Sequence, residues 1–155
     1  MDKDKGVAEV MQEINGALVT VPHDRWQLAG LHEGRLWIIT DSKRSALAPG
    51  ARCTRISSLA RACLLDRCPV SVSNVYPPDP REALRDWELD WPSLVYVPVA
   101  TRGRRSFGVL LLGSRTLRVY DPSELRFLGD LGEVIAPWLR RFLAENSYRF
   151  GRRAA

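Results

Sequence analysis

The chain has 155 residues, of which 45% are hydrophobic and 26% are charged, a balance typical of one globular domain rather than of a disordered segment. Its net charge of +5 suggests an anionic partner. The arginines are scattered among acidic residues, however, so we do not expect that partner to be nucleic acid. No apolar run approaches the roughly 20 residues of a membrane helix, and the N-terminus lacks a signal-peptide pattern, so we expect a cytoplasmic protein.

The N-terminal part of the chain predicts a helix followed by a hairpin. Apolar residues at three- and four-residue spacing between positions 5 and 19 form one stripe along a helix, which Pro22 ends. Two short apolar segments, residues 26–31 and 35–40, surround His32-Glu33-Gly34. Because glycine supplies the positive φ of a tight turn, these segments predict two antiparallel strands.

The middle of the chain alternates irregular segments with short elements. Residues 42–55 are polar and predict no regular structure. A serine at position 57 or 58 can cap a short helix that runs to Asp66, and residues 70–72 predict a short strand. Residues 76–80 contain three prolines, which predict a stiff loop.

The last part of the chain predicts two strands and a long helix. Residues 94–99 form one strand, and residues 107–112 are so apolar that we expect a central strand covered on both faces. A capping box then opens a helix at Asp121 or Pro122, because an aspartate cap is followed by proline and, at the third helical position, by Glu124. The apolar spacing continues this helix to about residue 146.

Residues 93–141 resemble the C-terminal half of GAF domains. They contain a strand with a proline in Val97-Pro98-Val99, a charged turn, a glycine-led apolar strand at 108–112, and an aromatic-to-acid helix entry at 120–124. Upstream, residues 56–75 are similar to the short helix, turn and strand of that family.

This resemblance, which extends over residues 1–144, implies an α+β protein with the GAF (profilin-like) fold. That fold has a central antiparallel sheet of five to six strands, with the N- and C-terminal helices on one face and short helices and loops on the other. We expect a single domain over residues 1–148 and a basic tail over residues 149–155. The short helix and residues 74–92 would cover a small-ligand cavity.

Aromatic residues near that cavity are the candidates for ligand binding, because ligand pockets are mostly apolar. The candidate pocket residues are Tyr76, Trp87, Trp91, Tyr96 and Cys63. The alternative is that the tryptophans only fill the core. The residues with which GAF relatives hold cyclic nucleotides or bilins are not found, and neither histidine lies in a cavity-forming segment. We therefore expect no cofactor and no metal site.

One enzymatic branch of the family offers a second interpretation. Cys53 and Cys63, within the segment RCTRISSLARAC, resemble cysteines of the free methionine-(R)-sulfoxide reductases. That chemistry needs a thiolate to attack the sulfoxide sulfur. Residues 86–93, where the family places the attacking cysteine, contain none, and the family's acidic positions hold Leu94, Leu111 and Gly113. We therefore expect no enzyme; a thiol-based enzyme and a nucleic-acid or anionic-surface binder stay as alternatives.

The terminal helices predict a homodimer. The last helix carries ten large apolar residues between positions 125 and 143, which spread beyond the roughly 100° stripe that covers a sheet. The candidate interface residues are Val7, Met11, Ile14, Leu131, Trp138 and Phe142. Alternatively, the first helix covers this surplus within the chain. Our preferred hypothesis is a non-catalytic regulatory domain that senses a small ligand, dimerises through its terminal helices, or does both.

Overall fold

The structure of the protein, a computed structural model, describes residues 1–2, 4–43, 52–54, 56, 58–73 and 91–150. Within these ranges six strands form one antiparallel sheet. The strands are β1 (Arg25–His32), β2 (Arg35–Asp41), β3 (Arg52–Thr54), β4 (Val70–Ser73), β5 (Ser93–Ala100) and β6 (Ser106–Ser114). The helices are α1 (Val7–Ala17), continued by a 3-10 turn (Leu18–Thr20), then α2 (Ser58–Asp66), α3 (Pro122–Glu145) and α4 (Ser147–Phe150).

The strands lie in the order β3-β2-β1-β6-β5-β4, and each neighbouring pair is antiparallel. β6 is therefore an inner strand, and nearly all of its residues are buried. This confirms the central position that its apolar sequence predicted. Because β1 pairs with β6, the N-terminal and C-terminal hairpins of the chain meet at the centre of the sheet.

β1 and β2 form the predicted hairpin. The turn has positive φ at both central residues, 51° at Glu33 and 75° at Gly34. This is the pattern of a type I′ turn, whose twist matches that of the flanking strands. Glycine adopts a positive φ without steric cost, so the turn at Gly34 was predicted. The positive φ of Glu33 was not predicted from the sequence.

β3 lies in the segment that we predicted to be irregular, and that prediction is wrong at residues 52–54. The backbone of these residues pairs with residues 36–38 of β2. β3 is short and lies at the edge of the sheet. Backbone pairing of this kind does not require the apolar alternation by which strands are recognised in a sequence.

The two faces of the sheet carry different layers, as the resemblance implied. On one face, α1 and α3 pack on side chains of β1, β2, β5 and β6 in a single hydrophobic cluster. On the other face, α2 packs on a second cluster formed with β2, β5 and β6. Within the described ranges, none of the helices combines the length and the hydropathy that crossing a bilayer requires.

The long helix α3 begins where the capping box predicted. The Asp121 carboxylate accepts a hydrogen bond from the Glu124 backbone N–H at 2.8 Å, and the Glu124 carboxylate accepts one from the Asp121 N–H at 3.1 Å. These contacts satisfy two donors that the first turn of a helix leaves free. The helix continues to Glu145, followed by Asn146 as its C-cap.

Replacing Asp121 by alanine is expected to lower the melting temperature of the protein, because both the accepting oxygen and its interaction with the helix dipole are lost. Asp121→Asn keeps an oxygen at the same place and is expected to stay close to the wild type. Thermal unfolding followed by circular dichroism measures both variants. Equal melting temperatures for Asp121→Ala and the wild type would contradict a stabilising cap.

α3 approaches the sheet at positions that lack side chains. A Cβ atom at Gly132 of α3 would lie 2.2 Å from the carbonyl oxygen of Pro98 in β5. A Cβ at Gly108 in β6 would lie 2.4 Å from Cδ2 of Leu139 in α3. Cβ atoms essentially never approach another heavy atom within 3.0 Å. These glycines therefore permit a helix-to-sheet distance that alanine would not allow.

The packed core continues to Phe150, beyond the domain boundary that the sequence suggested. The Phe150 ring is buried and lies 5.5 Å from the Trp37 ring and 5.2 Å from the His32 ring, measured between centroids. Phe150 ends the short helix α4. Residues 151–155, the rest of the expected tail, lie outside the described residues.

Candidate functional site

Three of the five candidate pocket residues come together on the α2 face of the sheet. Cys63 of α2, Trp91 two residues before β5, and Tyr96 within β5 belong to one hydrophobic cluster with Val109 and Leu111 of β6. Tyr96 stands directly opposite Leu111 in the pairing of β5 with β6. The other two candidates, Tyr76 and Trp87, lie outside the described residues.

The three side chains are buried rather than lining an open cavity. Cys63 is 0% exposed, Tyr96 1% and Trp91 6%. They pack in one cluster with the sheet and α2. A ligand on this face would reach the two aromatic rings only if part of the layer that covers them moved aside.

Arg115 is a member of this site that sequence reasoning did not find. Its guanidinium carbon lies 5.5 Å from the centroid of the Trp91 ring, within the range of a cation–π contact. The Arg115 backbone N–H donates to the Asp24 carboxylate at 2.7 Å, which fixes the start of the side chain. The site thus combines buried aromatic surface with an exposed cation at its edge. No local sequence pattern connects residues 91 and 115.

The Cys63 thiol is held in its protonated form. Burial raises its pKa to about 12, and the nearby Cys68 and Asp66 add to the effect because their negative charges oppose a thiolate. Since the thiolate is the nucleophilic form of cysteine, almost none of Cys63 is reactive at neutral pH. Cys53, the other cysteine of the reductase-like segment, has no described side chain.

Alkylation is expected to distinguish two of the cysteines. Cys68 is exposed and should react with iodoacetamide at pH 8 within minutes, whereas buried Cys63 should react only when the protein unfolds. Peptide mass spectrometry at successive times, with and without urea, gives the extent of modification at each position. Fast modification of Cys63 in the folded protein would contradict this assignment and favour a reactive thiol.

The histidines make structural contacts instead of converging on a site. A ring nitrogen of His23 lies 2.7 Å from the Val21 carbonyl oxygen, and His32 packs on Phe150. Among the residues that the structure describes, no three His, Cys, Asp or Glu side chains are placed to hold a metal ion.

The candidate dimer residues lie mainly within the core of their own chain. Ile14, Leu131 and Trp138 are buried, at 0%, 7% and 2% exposure. The other three are partly buried and pack against the same cluster: Val7, Met11 and Phe142. Packing within the same chain therefore covers much of the apolar surface of α3 that exceeds what the sheet requires.

Trp138 shows how the N-terminal segment covers α3. Its indole N–H donates to the Lys5 carbonyl at 2.7 Å, and its ring stacks on Phe142 with centroids 5.1 Å apart. Two large apolar residues of α3 stay exposed, Phe127 at 40% and Val134 at 48%. Phe127 and Val134 therefore give α3 its most exposed apolar surface.

Sequence comparison identifies one family. The family whose sequence model matches residues 4–139 is described as "GAF domain". No curated protein is similar enough in sequence to match the chain.

Solved structures with GAF-like architecture resemble the chain over nearly its whole length. The GAF domain of a two-component sensor histidine kinase from Bacillus halodurans has a TM-score of 0.66 and 19% identity, covering 95% of this chain and 99% of that one. The GAF domain of an Acinetobacter phosphoenolpyruvate-protein phosphotransferase has a TM-score of 0.67 and 16% identity, with coverages of 96% and 95%. A type II free methionine-R-sulfoxide reductase from Thermoplasma acidophilum has a TM-score of 0.65 and 16% identity, with coverages of 87% and 92%. At these identities the likeness establishes a common fold and leaves the chemistry open.

Proposed function

The chain belongs to the GAF domain family, and from this premise we propose that it is a non-catalytic regulatory module that senses a small ligand on the α2 face of its sheet. The observation that carries this proposal is the cluster of Trp91 and Tyr96 with Arg115 at its edge. Sensor kinases, among other signalling proteins, contain domains of similar structure, which supports a regulatory role.

The composition of the cluster favours a planar ligand that carries a negative charge. Trp91 and Tyr96 would offer ring faces for stacking once the layer that buries them opens, and the Arg115 guanidinium offers several donors in one plane, which suits a carboxylate or a phosphate. The ligand would exchange the cation–π contact of Arg115 for an ion pair. Its binding would also draw on apolar burial against α2.

The state of Cys63 supports a non-catalytic role. A thiol with a pKa of about 12 contributes negligible thiolate at neutral pH, so it is a poor nucleophile for a sulfoxide. The similarity to a methionine-R-sulfoxide reductase is one of fold only, at 16% identity. The thiol-based alternative would require a reactive cysteine at position 53 or 63, so the alkylation rates at these two positions bear on it directly.

Native mass spectrometry of the purified protein, followed by a thermal-shift screen of aromatic acids and nucleotides, tests the sensing proposal. A ligand at about 100 times its Kd should stabilise the protein by about 2.7 kcal/mol. Arg115→Ala should remove most of this stabilisation, while Arg35→Ala, an exposed arginine elsewhere, should leave it unchanged. If no compound is retained or stabilises the wild type, or if both variants behave alike, the proposed site is wrong.

A second proposal, dimerisation through the terminal helices, draws on the outward side of α3. Phe127 and Val134 lie seven residues apart, two helical turns, and therefore face the same way. Both stay exposed, whereas the other large apolar residues of α3 are buried or partly buried in the chain. The partly buried Val7, Met11 and Phe142 lie at the margin of the helix layer and could extend the contact.

Sedimentation at micromolar concentration tests the dimer. A dimer has twice the 17.5 kDa mass of one chain, and Val134→Glu should dissociate it because the side chain is 48% exposed and can be changed without entering the core. Trp138→Glu is unsuitable, since it would bury a charge and break the hydrogen bond to Lys5. A wild type that sediments as 17.5 kDa contradicts the dimer.

A further inference from the structure

The connection between β5 and β6 carries three exposed arginines within residues 102–105. The turn runs from Thr101 to Arg104, and the Arg104 N–H donates to the Thr101 carbonyl at 2.9 Å. Gly103, in the third position, has φ of 73°, as a type II turn requires. Arg102, Arg104 and Arg105 are therefore exposed at the end of the β5–β6 hairpin.

Between this turn and the C-terminal half of α3 lies a groove of about 520 Å³. Its apolar part is formed by Phe107 of β6 and Leu143 of α3, and its rim by three arginines. The lining residues are Thr101, Arg104, Arg105, Phe107, Arg140 and Leu143. We call these residues the arginine groove.

The three arginines of the groove, Arg104, Arg105 and Arg140, carry positive charge that the described part of the chain does not neutralise. No carboxylate of a described residue forms an ion pair with any of the three. The neighbouring Arg141, in contrast, pairs with Asp4 and Glu145. Three like charges at the rim of one groove repel each other, and an anionic partner would relieve that repulsion.

We propose that the arginine groove binds an acidic protein segment, which inserts one large apolar side chain between Phe107 and Leu143. Carboxylates on both sides of that side chain would pair with Arg104, Arg105 and Arg140. Guanidinium groups bind carboxylates in bidentate geometry, which gives direction to the contact. The apolar floor supplies area whose burial favours binding without regard to charge.

The apolar floor of the groove favours a protein segment over a long polyanion. A protein segment can place an apolar side chain on Phe107 and Leu143, whereas the charged backbone of a nucleic acid or the headgroups of a membrane present nothing apolar to that floor. Charge alone does not make this choice, because the adjoining groove on the other side of the turn is lined by Arg67, Arg102, Arg104 and Arg126 together with Asp130 and Glu133.

Selection from a phage-displayed library of random 12-residue peptides on the full chain tests this proposal. We expect the enriched peptides to place Asp or Glu on both sides of Phe, Leu or Trp. The best peptide is then synthesised with a fluorophore, and its Kd is measured by fluorescence polarisation. Replacing its central apolar residue by serine should weaken binding at least tenfold.

Charge reversal at the groove, with a matched control, locates the site. Arg105→Glu/Arg140→Glu should weaken peptide binding by about a hundredfold, since two ion pairs become repulsive. Arg35→Glu/Arg61→Glu changes two exposed arginines outside the groove, keeps the same net charge as the first variant and should retain binding. Circular dichroism verifies that both variants fold.

Three results would overturn the proposal. Peptides without acidic residues, or no enrichment at all, would show that the groove does not select carboxylates. Equal losses in the two double variants would assign binding to net charge alone. If a 20-nucleotide single-stranded DNA, or vesicles with about 30% phosphatidylserine, bind the wild type more tightly than the peptide and displace it, the partner is a polyanion instead of a protein segment.

Discussion

Gly132→Ala is expected to destabilise the protein by about 2 kcal/mol, which lowers the melting temperature by about 4 to 8 °C. The new Cβ would lie 2.2 Å from the Pro98 carbonyl oxygen and 3.3 Å from a methyl carbon of Val97. A backbone oxygen cannot rotate away, so α3 has to move off β5. Alanine has the higher helix propensity by about 1 kcal/mol, which offsets only part of this cost.

Gly129→Ala is the matched control, one helical turn earlier. Its Cβ would meet only the Pro69 ring, at 3.6 Å, which is ordinary contact. Helix propensity then dominates, and we expect a gain of about 0.5 to 1 kcal/mol. Urea unfolding of both variants gives the free energies of unfolding. Stabilisation by alanine at both positions would contradict the close approach of α3 to the sheet.

Asp41→Ala is expected to destabilise the protein by about 3 kcal/mol, because it leaves buried polar groups without their acceptor. The Asp41 carboxylate is fully buried and accepts hydrogen bonds from Arg25 Nε at 2.9 Å, from Gln27 Nε2 at 2.8 Å and from the Lys43 N–H at 3.0 Å. It also forms an ion pair with the second arm of the Arg25 guanidinium. Arg25 is 14% exposed, so water relieves part of the penalty.

Asp4→Ala is the control for this substitution, since Asp4 also pairs with an arginine, Arg141, but both groups are exposed. Exposed ion pairs contribute little, and we expect almost no change in stability. Urea unfolding at pH 7 compares the two variants. A large loss of unfolding free energy in Asp4→Ala, or no loss in Asp41→Ala, would contradict the view that burial makes the Asp41 ion pair matter for stability.

The stability contributed by Asp41 should depend on pH in a defined direction. Burial opposes its charged form, but the hydrogen bonds from Arg25, Gln27 and Lys43 outweigh that effect and hold its pKa below the ordinary value of 3.8. A group with a lowered folded-state pKa stabilises the fold above its unfolded pKa and loses this effect as pH falls through the folded one. The difference between the wild type and Asp41→Ala should therefore be constant above about pH 5 and shrink below about pH 4. A difference that grows on acidification would contradict this.

Local chemistry was sufficient to predict the elements that begin and end with distinctive residues. The capping box at Asp121 and the hairpin turn at Gly34 depend on contacts between residues close in sequence, so their patterns identify them directly. β3 could not be predicted, because its position depends on backbone pairing with β2 and not on a pattern of its own side chains. Arg67, which follows α2, has a φ of 56° and donates its N–H to the Cys63 carbonyl, a common way for a helix to end, but no glycine marks that end in the sequence.

The candidate site could be predicted only in part, since its members come from separate segments. The sequence identified Trp91, Tyr96 and Cys63 through their type and their expected place around a cavity that the short helix and residues 74–92 would cover. It did not identify Arg115, whose contact with Trp91 depends on how the end of β6 lies beside the start of β5. For the candidate dimer residues, the sequence identified the apolar side chains but not what covers them. Apolar spacing marks Trp138 and Leu131 as residues that need cover, and only the tertiary structure shows that the same chain provides it.

The glycine contact between α3 and β5 has a mechanical consequence. Side chains between a helix and a sheet normally absorb small displacements by rotating, but Gly132 and the Pro98 carbonyl have no such freedom. Tyr96 lies two residues before Pro98 in the same strand and faces the opposite layer. We therefore expect a displacement of β5 at Tyr96 to be passed on to α3, because no flexible side chain separates Gly132 from the Pro98 carbonyl. The displacement would then be carried along a helix of 24 residues.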